Sequence, residues 1–509
     1  MTFIKQTKKT KHGQYLAVRQ AARWTRLTLS LAASGLLLAA CAVTSPPTHV
    51  DADAPLQWNA AVPAMQLKQG KAHDASMQNL SQWWQLQNDA LLVELIDAAQ
   101  RVSATVGTAR ANIAQARAVR SISGGALLPS LDGAGSVSRG TLAGGAGSGA
   151  GSAVATTAQL GLQASWEIDV FGKNAAKRDA AQERLMATQA QWHDARVVVA
   201  AEVASQYYSL RSCEKQLAIT ALDATSRAET SRLTALTTAA GFGAPAVAAL
   251  ARASAAEGAS RLSQQRAQCA LIVKALVALT ALDEPALVQK LARQLEDAPD
   301  GQPQQAIVNV ASVPAQALSQ RPDVFSAARD VSAASFDVGS AAAQRLPRLS
   351  LAGNIGTGRS RVSGMSQGFD TWSFGPLSLS LPLLDGGVSQ GNVDIANARY
   401  VEATGKYKSV VRLAVREVEE ALVNLQSTAE RASNTAIAAD GYRASFDGTQ
   451  ARYKAGLASL MELEESRRTL LAAQGAVIAL QLERRNAWIA LYRALGGGWQ
   501  LQTNAIAAQ

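Results

Sequence analysis

Glu462 and Glu465 stand three residues apart in a stretch that reads as helix. At that spacing two carboxylates share one helix face, where they attract cations and repel each other. Glu464, Arg467 and Arg468 lie beside them, so a solvated charged face is the other reading of the same run. Of the 3 cysteines, Cys213 and Cys269 each lie 28 residues from Gly241. If two helices fold back antiparallel about that glycine, both thiols reach one level, where an oxidising compartment favours a disulfide. Unbonded, they would be two small buried hydrophobes. The third, Cys41, closes an apolar run. The 4 histidines, His12, His49, His73 and His193, form no pair at metal-ligand spacing. There is no phosphate loop with Gly-Lys-Ser/Thr and no nucleophile elbow. The residues therefore predict a protein that is not an enzyme and needs no metal or cofactor.

The elements that would position these residues are long. From about Ser389 to Ala455 there is no proline, and the middle reads Val411, Val415, Val418, Leu422, Leu425. Spacings of 4, 3, 4 and 3 make an apolar seam at the heptad period, so a helix carrying it packs lengthwise on another helix. Nearly seventy residues at about 1.5 Å each reach roughly 100 Å. The same stretch recurs 215 residues earlier: Gly387 falls on Gly172, Glu417-Val418 on Glu202-Val203, Leu425 on Leu210, Gly456 on Gly241 and Arg467 on Arg252. Leu128-Pro129-Ser130-Leu131 and Leu346-Pro347-Arg348-Leu349 repeat at offset 218. Self-similarity at that distance is one large unit duplicated, not a short-period solenoid.

The first 40 residues hold seven Lys and Arg and no acid, followed by an apolar run from Leu27 to Ala40. This reads as a secretory leader, too short to span a membrane as a helix. Its end, Leu38-Ala39-Ala40-Cys41, resembles the lipobox of bacterial lipoproteins, in which the leader is removed and the cysteine takes a lipid; a plain signal peptide is the alternative. Ala42 after the cysteine suggests outer-membrane sorting by the same resemblance. Removing seven cations from the 49 of the full chain leaves 42 against 39 acids, about +3, so the basic pI is no argument for nucleic-acid binding. After Cys41 the chain is Pro-, Ala- and Gln-rich to about Asn88, an extended tether that docks Trp58, Trp83 and Trp84. A helix from about Asp89, its N-terminal cap, to about Ser123 follows.

Each copy then holds two strand signals. Leu131 to Thr141 is small and polar, and Gly144 to Ser152 reads as a flexible loop. Leu160, Leu162, Ala164, Trp166 and Ile168 alternate with Gln159, Gly161, Gln163, Ser165 and Glu167, a clean period of two. In the second copy Leu349, Leu351, Gly353 and Ile355 alternate with small polar residues, Gly356 to Gln367 reads as a loop, and Leu377, Leu379, Leu381 and Leu383 alternate again. Pro376 and Pro382 predict bulges or strand ends. Four strands are too few to close a sheet, and open edges cannot stand in lipid. Alternating strands of this length suit an outer-membrane barrel to which several symmetric copies each lend four strands.

In this order and with this duplication the chain resembles the TolC-like outer membrane factors, above all their lipoprotein branch, the NodT- and OprM-type efflux channels. The residues that carry the resemblance are Cys41; Trp83-Trp84 ahead of Asp89 and Leu95-Ile96; both Leu-Pro-x-Leu pieces; Trp166-Glu167-Ile168-Asp169-Val170-Phe171-Gly172; Gln320-Arg321-Pro322-Asp323-Val324; and Arg452-Tyr453-Lys454-Ala455-Gly456-Leu457-Ala458-Ser459. The resemblance implies a mainly α fold with a β-barrel part: a homotrimer with a 12-strand barrel in the outer membrane above a periplasmic α-helical barrel. It implies an outer-membrane lipid attachment at Cys41, a periplasmic adaptor and an inner-membrane RND-type pump as partners. On that scheme 1–40 is the leader, 41–88 the tether, 89–300 the first repeat, 301–318 the linker, 319–495 the second repeat and 496–509 the tail.

The resemblance also assigns roles. The turns at Gly241, Phe242, Gly243 and at Arg452, Gly456, Ser459 would be the periplasmic tip where the adaptor docks; without it they are helix connectors. Glu462 and Glu465 would each form a ring of three acids around the axis, a periplasmic gate, where the family usually carries aspartates. The expected function is a passive exit duct for small molecules. A duct for type I protein secretion is the alternative within this fold, and a lipid-anchored periplasmic coiled-coil scaffold the alternative outside it.

Overall fold

The computed structural model describes residues 44–52, 55, 58–60, 83–86, 89–142, 153–297, 318, 321–362 and 364–498. Cys41, the leader, the Gly144–Ser152 stretch, most of the linker and most of the tail lie outside them. In chain order the elements are α1 (Trp83–Leu86), α2 (Ala90–Val102), α3 (Ala104–Gly125), β1 (Ser130–Leu142), β2 (Ala153–Ile168), α4 (Lys173–Ala239), α5 (Pro245–Thr280), α6 (Glu284–Asp297), α7 (Pro322–Ala343), β3 (Arg348–Val362), β4 (Met365–Ser380), α8 (Val388–Lys454) and α9 (Leu460–Ala494), closed by a 3-10 turn at Gly496–Gly498. No described helix is long and apolar enough to cross a membrane.

The duplication is visible in the element bounds. Both α4 and α8 have 67 residues, and their starts at Lys173 and Val388 differ by the 215 of the sequence repeat. Each start is built the same way. Gly172 and Gly387 take left-handed φ of 75° and 89°, which glycine adopts without a Cβ clash. Ahead of them an aspartate accepts the orphan amides of the first turn. Asp169 takes those of Asn174 (3.1 Å) and Ala175 (2.7 Å), and Asp385 those of Gly387 (3.0 Å) and Ser389 (2.8 Å). The helix expected from Asp89 to Ser123 is instead two, α2 and α3, interrupted at Ser103, whose φ −60° and ψ 122° are extended. Asp89 caps α2 through the Leu92 amide at 3.0 Å and accepts the Tyr207 hydroxyl at 2.7 Å.

Two compact units are present, and neither is one repeat. The first gathers residues 44–48, 119–182 and 332–401; the second 49–118, 183–331 and 402–498 among those described. The first unit holds an antiparallel sheet in the order β1-β2-β3-β4. Its middle pair, β2 with β3, joins the two copies, so neither hairpin leaves that edge unpaired. The stretch read as a loop, Gly356–Gln367, is instead mostly strand: β3 runs to Val362 and β4 starts at Met365, with Gly364 at φ 88° in the turn. The register puts Leu131, Val137, Leu160, Leu162, Trp166, Ile168, Leu349, Leu351, Ile355, Trp372, Phe374, Leu377 and Leu379 on one face, and Ser130, Asp132, Gln163, Glu167, Ser350, Asn354, Ser373 and Ser378 on the other. Leu377 opposes Leu351 while Phe374 opposes Gly353, so the extra β4 residue falls at the cis Gly375-Pro376 step. That is a bulge at the proline, and Pro382 lies beyond the strand end, as the missing ladder donors require. Also within this unit, Ser45–Thr48 lies against α7 and α8: Ser335 donates to the Pro46 carbonyl (2.6 Å), Ser332 to Thr48 (2.8 Å) and Tyr400 to Pro47 (2.9 Å).

The core of the second unit buries Leu92 and Leu95 of α2, Val203, Tyr207 and Leu210 of α4, Leu276 of α5, Leu287 of α6, Val324 of α7, Val418 and Leu422 of α8 and Leu491 of α9. The α8 seam is Val411, Ala414, Val418, Leu422 and Leu425; Val415 is only half-buried, and Ala414 takes its place. Trp83 and Trp84 dock here, their rings 5.5 Å and 4.8 Å from that of Tyr492.

Candidate functional site

The helix-pair ends of the second unit hold the turn and gate candidates. Both turns close with one cap geometry. Phe242 donates its amide to the Thr237 carbonyl at 2.9 Å, and Leu457 donates to Arg452 at 2.8 Å. These six-to-one bonds need a left-handed residue just before them. Gly241 at φ 83° and Gly456 at φ 76° supply it. A Cβ added at either glycine would meet nothing within 4 Å. Phe242 is 89% exposed at its turn. Gly243 packs tightly instead, since a Cβ there would sit 2.7 Å from the Thr238 hydroxyl.

The second helix of each pair starts differently. Pro245 opens α5 with no side-chain cap. Ser459 opens α9 with a full capping box: its Oγ receives the Glu462 amide at 3.2 Å, and the Glu462 carboxylate receives the Ser459 amide at 2.7 Å. Ser-Leu-Met-Glu carries a readable capping-box signal beside its charge pattern. The amide and hydroxyl of Ser459 hold the Glu462 carboxyl below the usual carboxylate range, helped by Arg452 at 3.8 Å. Arg452 also donates to the Leu457 carbonyl at 3.2 Å. Glu465 pairs with Arg468 on the exposed side of α9. The structure thus brings Arg452, Gly456, Ser459 and Glu462 into one set of contacts around the second turn. Glu465 lies nearly one helical turn further on.

Glu464 faces the other way, into a charged cluster that sequence reasoning did not find. Arg227 of α4 donates to both oxygens of Asp223 at 2.8 and 3.1 Å, to Glu464 at 2.9 Å and to Ser254 of α5 at 2.7 Å. Ser254 donates in turn to Glu464 at 2.8 Å. Arg467 pairs with Glu464, lies 3.7 Å from Asp223 and donates to Ser226 at 3.1 Å. Both guanidiniums are buried, at 5% and 3% side-chain exposure. Burial draws the Arg467 guanidinium below its usual range, against the pull of Glu464 and Asp223. Two cations and two anions cancel, which buried charges require. Gly258 of α5 leaves the room: a Cβ there would lie 2.8 Å from the Arg227 Cδ. The cluster ties α4, α5 and α9 together where Leu460, Leu463 and Ala251 form a small apolar core.

Cys213 and Cys269 are joined as a disulfide across α4 and α5, with Cα atoms 5.6 Å apart. Cys213 lies on the buried seam of α4, and its counterpart 215 residues on, Thr428, is buried too. Further along, Arg321 anchors the start of α7. It donates to Asp323 at 2.7 and 3.0 Å, to Glu417 of α8 at 2.8 Å and to the Ala494 carbonyl at 2.9 Å. Among the described residues of the 320–324 stretch, Arg321 holds α7, α8 and α9 together, and Asp323 pairs with it. No group of His, Cys, Asp or Glu among the described residues is placed to hold a metal ion.

With this geometry in hand, a family model described as "Outer membrane efflux protein" matches residues 95–282 and 313–497. The chain belongs to the outer membrane efflux protein family. Its matched segments begin in α2 and in the linker, and they contain both long helices, both turns and all four strands. The solvent efflux pump outer membrane protein SrpC of Pseudomonas putida is 29% identical over 421 residues, 82% of this chain and 87% of that one. The outer membrane protein OprJ of Pseudomonas aeruginosa is 29% identical over 474 residues, covering 91% and 94%. The Campylobacter jejuni CmeC outer membrane channel superposes with a TM-score of 0.78 at 23% identity, covering 90% of this chain and 96% of that channel, which shows the shared fold. The outer membrane efflux family is a transport family and not an enzyme class, and this chain is an outer-membrane efflux protein with the TolC-like fold.

Proposed function

We propose that three copies of this efflux protein close one barrel in the outer membrane and form a passive exit duct, joined at its periplasmic end by an adaptor and fed by an inner-membrane RND-type pump. The observation that carries this is the sheet. It has four strands, two open edges in β1 and β4, and one face that is apolar from Leu349 to Leu160 apart from Thr357 and Asp370 in the Leu160 row. Eight residues of strand at about 3.4 Å each, tilted by about 40°, give an apolar band roughly 21 Å tall, close to that of outer-membrane barrels. Edges in lipid must be paired, and identical neighbours pair β1 with β4 without remainder. Cys41 would carry the lipid. It lies four residues ahead of Ser45 in the sequence, and Ser45 stays beside Gly339 of α7. The duct does no chemistry, and the pump selects what enters it. Small molecules are the cargo this reading favours over secreted proteins, as in the solvent-efflux relative.

Native mass spectrometry of protein extracted from outer membranes tests this. The expected species is a trimer whose subunits begin at Cys41 and carry lipid mass. A monomer or dimer without lipid would return the chain to a periplasmic scaffold.

In the trimer, Glu462 and Glu465 would ring the periplasmic opening and favour cations there. Replacing both by glutamine keeps their shape, and glutamine at position 462 still suits a capping box. The double variant Glu462→Gln, Glu465→Gln is expected to conduct more ions across a planar bilayer and to lose cation preference. An unchanged cation-to-anion permeability ratio would remove these residues from the gate.

A further inference from the structure

The end of the sheet away from the helices carries a charge pattern of its own. From Val137 to Leu160 and from Gly356 to Phe369 the sequence contains three arginines, Arg139, Arg359 and Arg361, and no acid. The register aligns them. Arg139 opposes Thr156, Thr156 opposes Arg361, and Arg361 opposes Ser366, all in one row. Arg359 sits in the next row inward, opposite Ala158 and Gly368. By alternation all three share the face of Leu160, Leu162, Ile355 and Trp372, so they continue the apolar band and do not line the opposite, polar face. Arg139 and Arg361 flank Thr156 from strands two apart, about 10 Å, a span that two long guanidinium side chains can close on one tetrahedral anion. All three arginines are exposed. The nearest carboxylate on this face is Asp370, opposite Thr357 and one row further in.

The end in question is the one away from the helices, because β1 to β4 all meet helices at their other ends. We infer that Arg139, Arg359 and Arg361, with the Thr156 hydroxyl, bind the phosphate of a phosphorylated glycolipid in the outer leaflet. The inference rests on the barrel reading, which makes this face the lipid-facing one. Guanidinium forks suit phosphate oxygens bidentately. Next to an apolar wall, such a site takes a phosphate that brings acyl chains with it in preference to a free anion.

The test is native mass spectrometry of the detergent-purified full chain, titrated with bis-phosphorylated lipid A, with its dephosphorylated form and with inorganic phosphate. The wild-type trimer is expected to prefer the phosphorylated lipid by at least about fivefold, and to lose about fivefold for each arginine removed. The Arg139→Gln, Arg359→Gln, Arg361→Gln variant should lose the preference. The corresponding lysine variant, which keeps the charge and loses the forks, should keep only part of it, and Arg348→Gln, on the other face at the helix end, should keep all of it. Equal binding of the two lipids by the wild-type trimer would overturn the inference and leave the duct intact, as would competition by inorganic phosphate at equal concentration. Failure to find a trimer would overturn both.

Discussion

An Arg467→Ala variant is expected to lose about 3–5 kcal/mol of stability, the cost typical of removing one partner from a buried ion pair. The size follows from what stays behind. Without Arg467, Asp223 and Glu464 share the single guanidinium of Arg227, and a net negative charge is left among α4, α5 and α9. Water reaches this place poorly, since Asp223 and Arg467 are each 3% exposed at the side chain. The loss is separable from lost packing of the arginine stem against Phe446, whose ring centre is 5.7 Å from the guanidinium. Arg467→Met keeps the stem and should cost nearly as much as alanine. Pairing it with Glu464→Gln restores neutrality and should recover a large part of the loss, which a double-mutant cycle of guanidinium midpoints, read by helical circular dichroism, would quantify. If Arg467→Met and Arg467→Ala both unfold within about 0.5 kcal/mol of wild type, the cluster is not the tie that its geometry describes.

What the sequence revealed and what it hid divide along one physical line. Signals that act within a few residues were legible. The heptad seam and the lack of proline placed a helix from Ser389 to Ala455, and α8 runs from Val388 to Lys454. The left-handed glycines and the strand alternation were legible for the same reason. Long-range pairing was not. Asp223 and Arg467 are 244 residues apart, and each has nearer partners that make an ordinary solvated face. Gly356–Gln367 is too small and polar to read as strand, yet β3 is paired on both sides, by β2 and β4, and that pairing overrides weak propensity. Equal distance from Gly241 brought Cys213 and Cys269 to one level, because an antiparallel helix pair turns sequence distance into height. The capping box at Ser459 was local and readable, but a charge-centred reading took Glu462 only as an acid. The structure gives that carboxylate a second partner set, so Glu462 would act at a gate with its side chain held by Ser459 and Arg452.

Gly456→Trp is expected to abolish export while the trimer still assembles. The turn requires a left-handed residue, and a non-glycine residue at φ 76° costs about 1–2 kcal/mol. That strain is confined to the helix end, because a Cβ there meets nothing within 4 Å. Open space around the added Cβ means that its first carbon is tolerated by the fold, and the indole beyond it probes what packs on the turn, a neighbouring copy or the adaptor. Gly456→Ala carries the same backbone strain with little bulk, so the two variants separate strain from obstruction. The expected pattern is native-mass trimer for both, dye accumulation at wild-type levels for alanine, and accumulation at the level of a deletion strain for tryptophan. Loss of adaptor cross-linking in the tryptophan variant alone would locate the obstruction at the docking step. Should the tryptophan variant export as well as wild type, Arg452, Gly456 and Ser459 are a helix connector whose contacts serve the turn itself, and the adaptor must dock elsewhere on the helices.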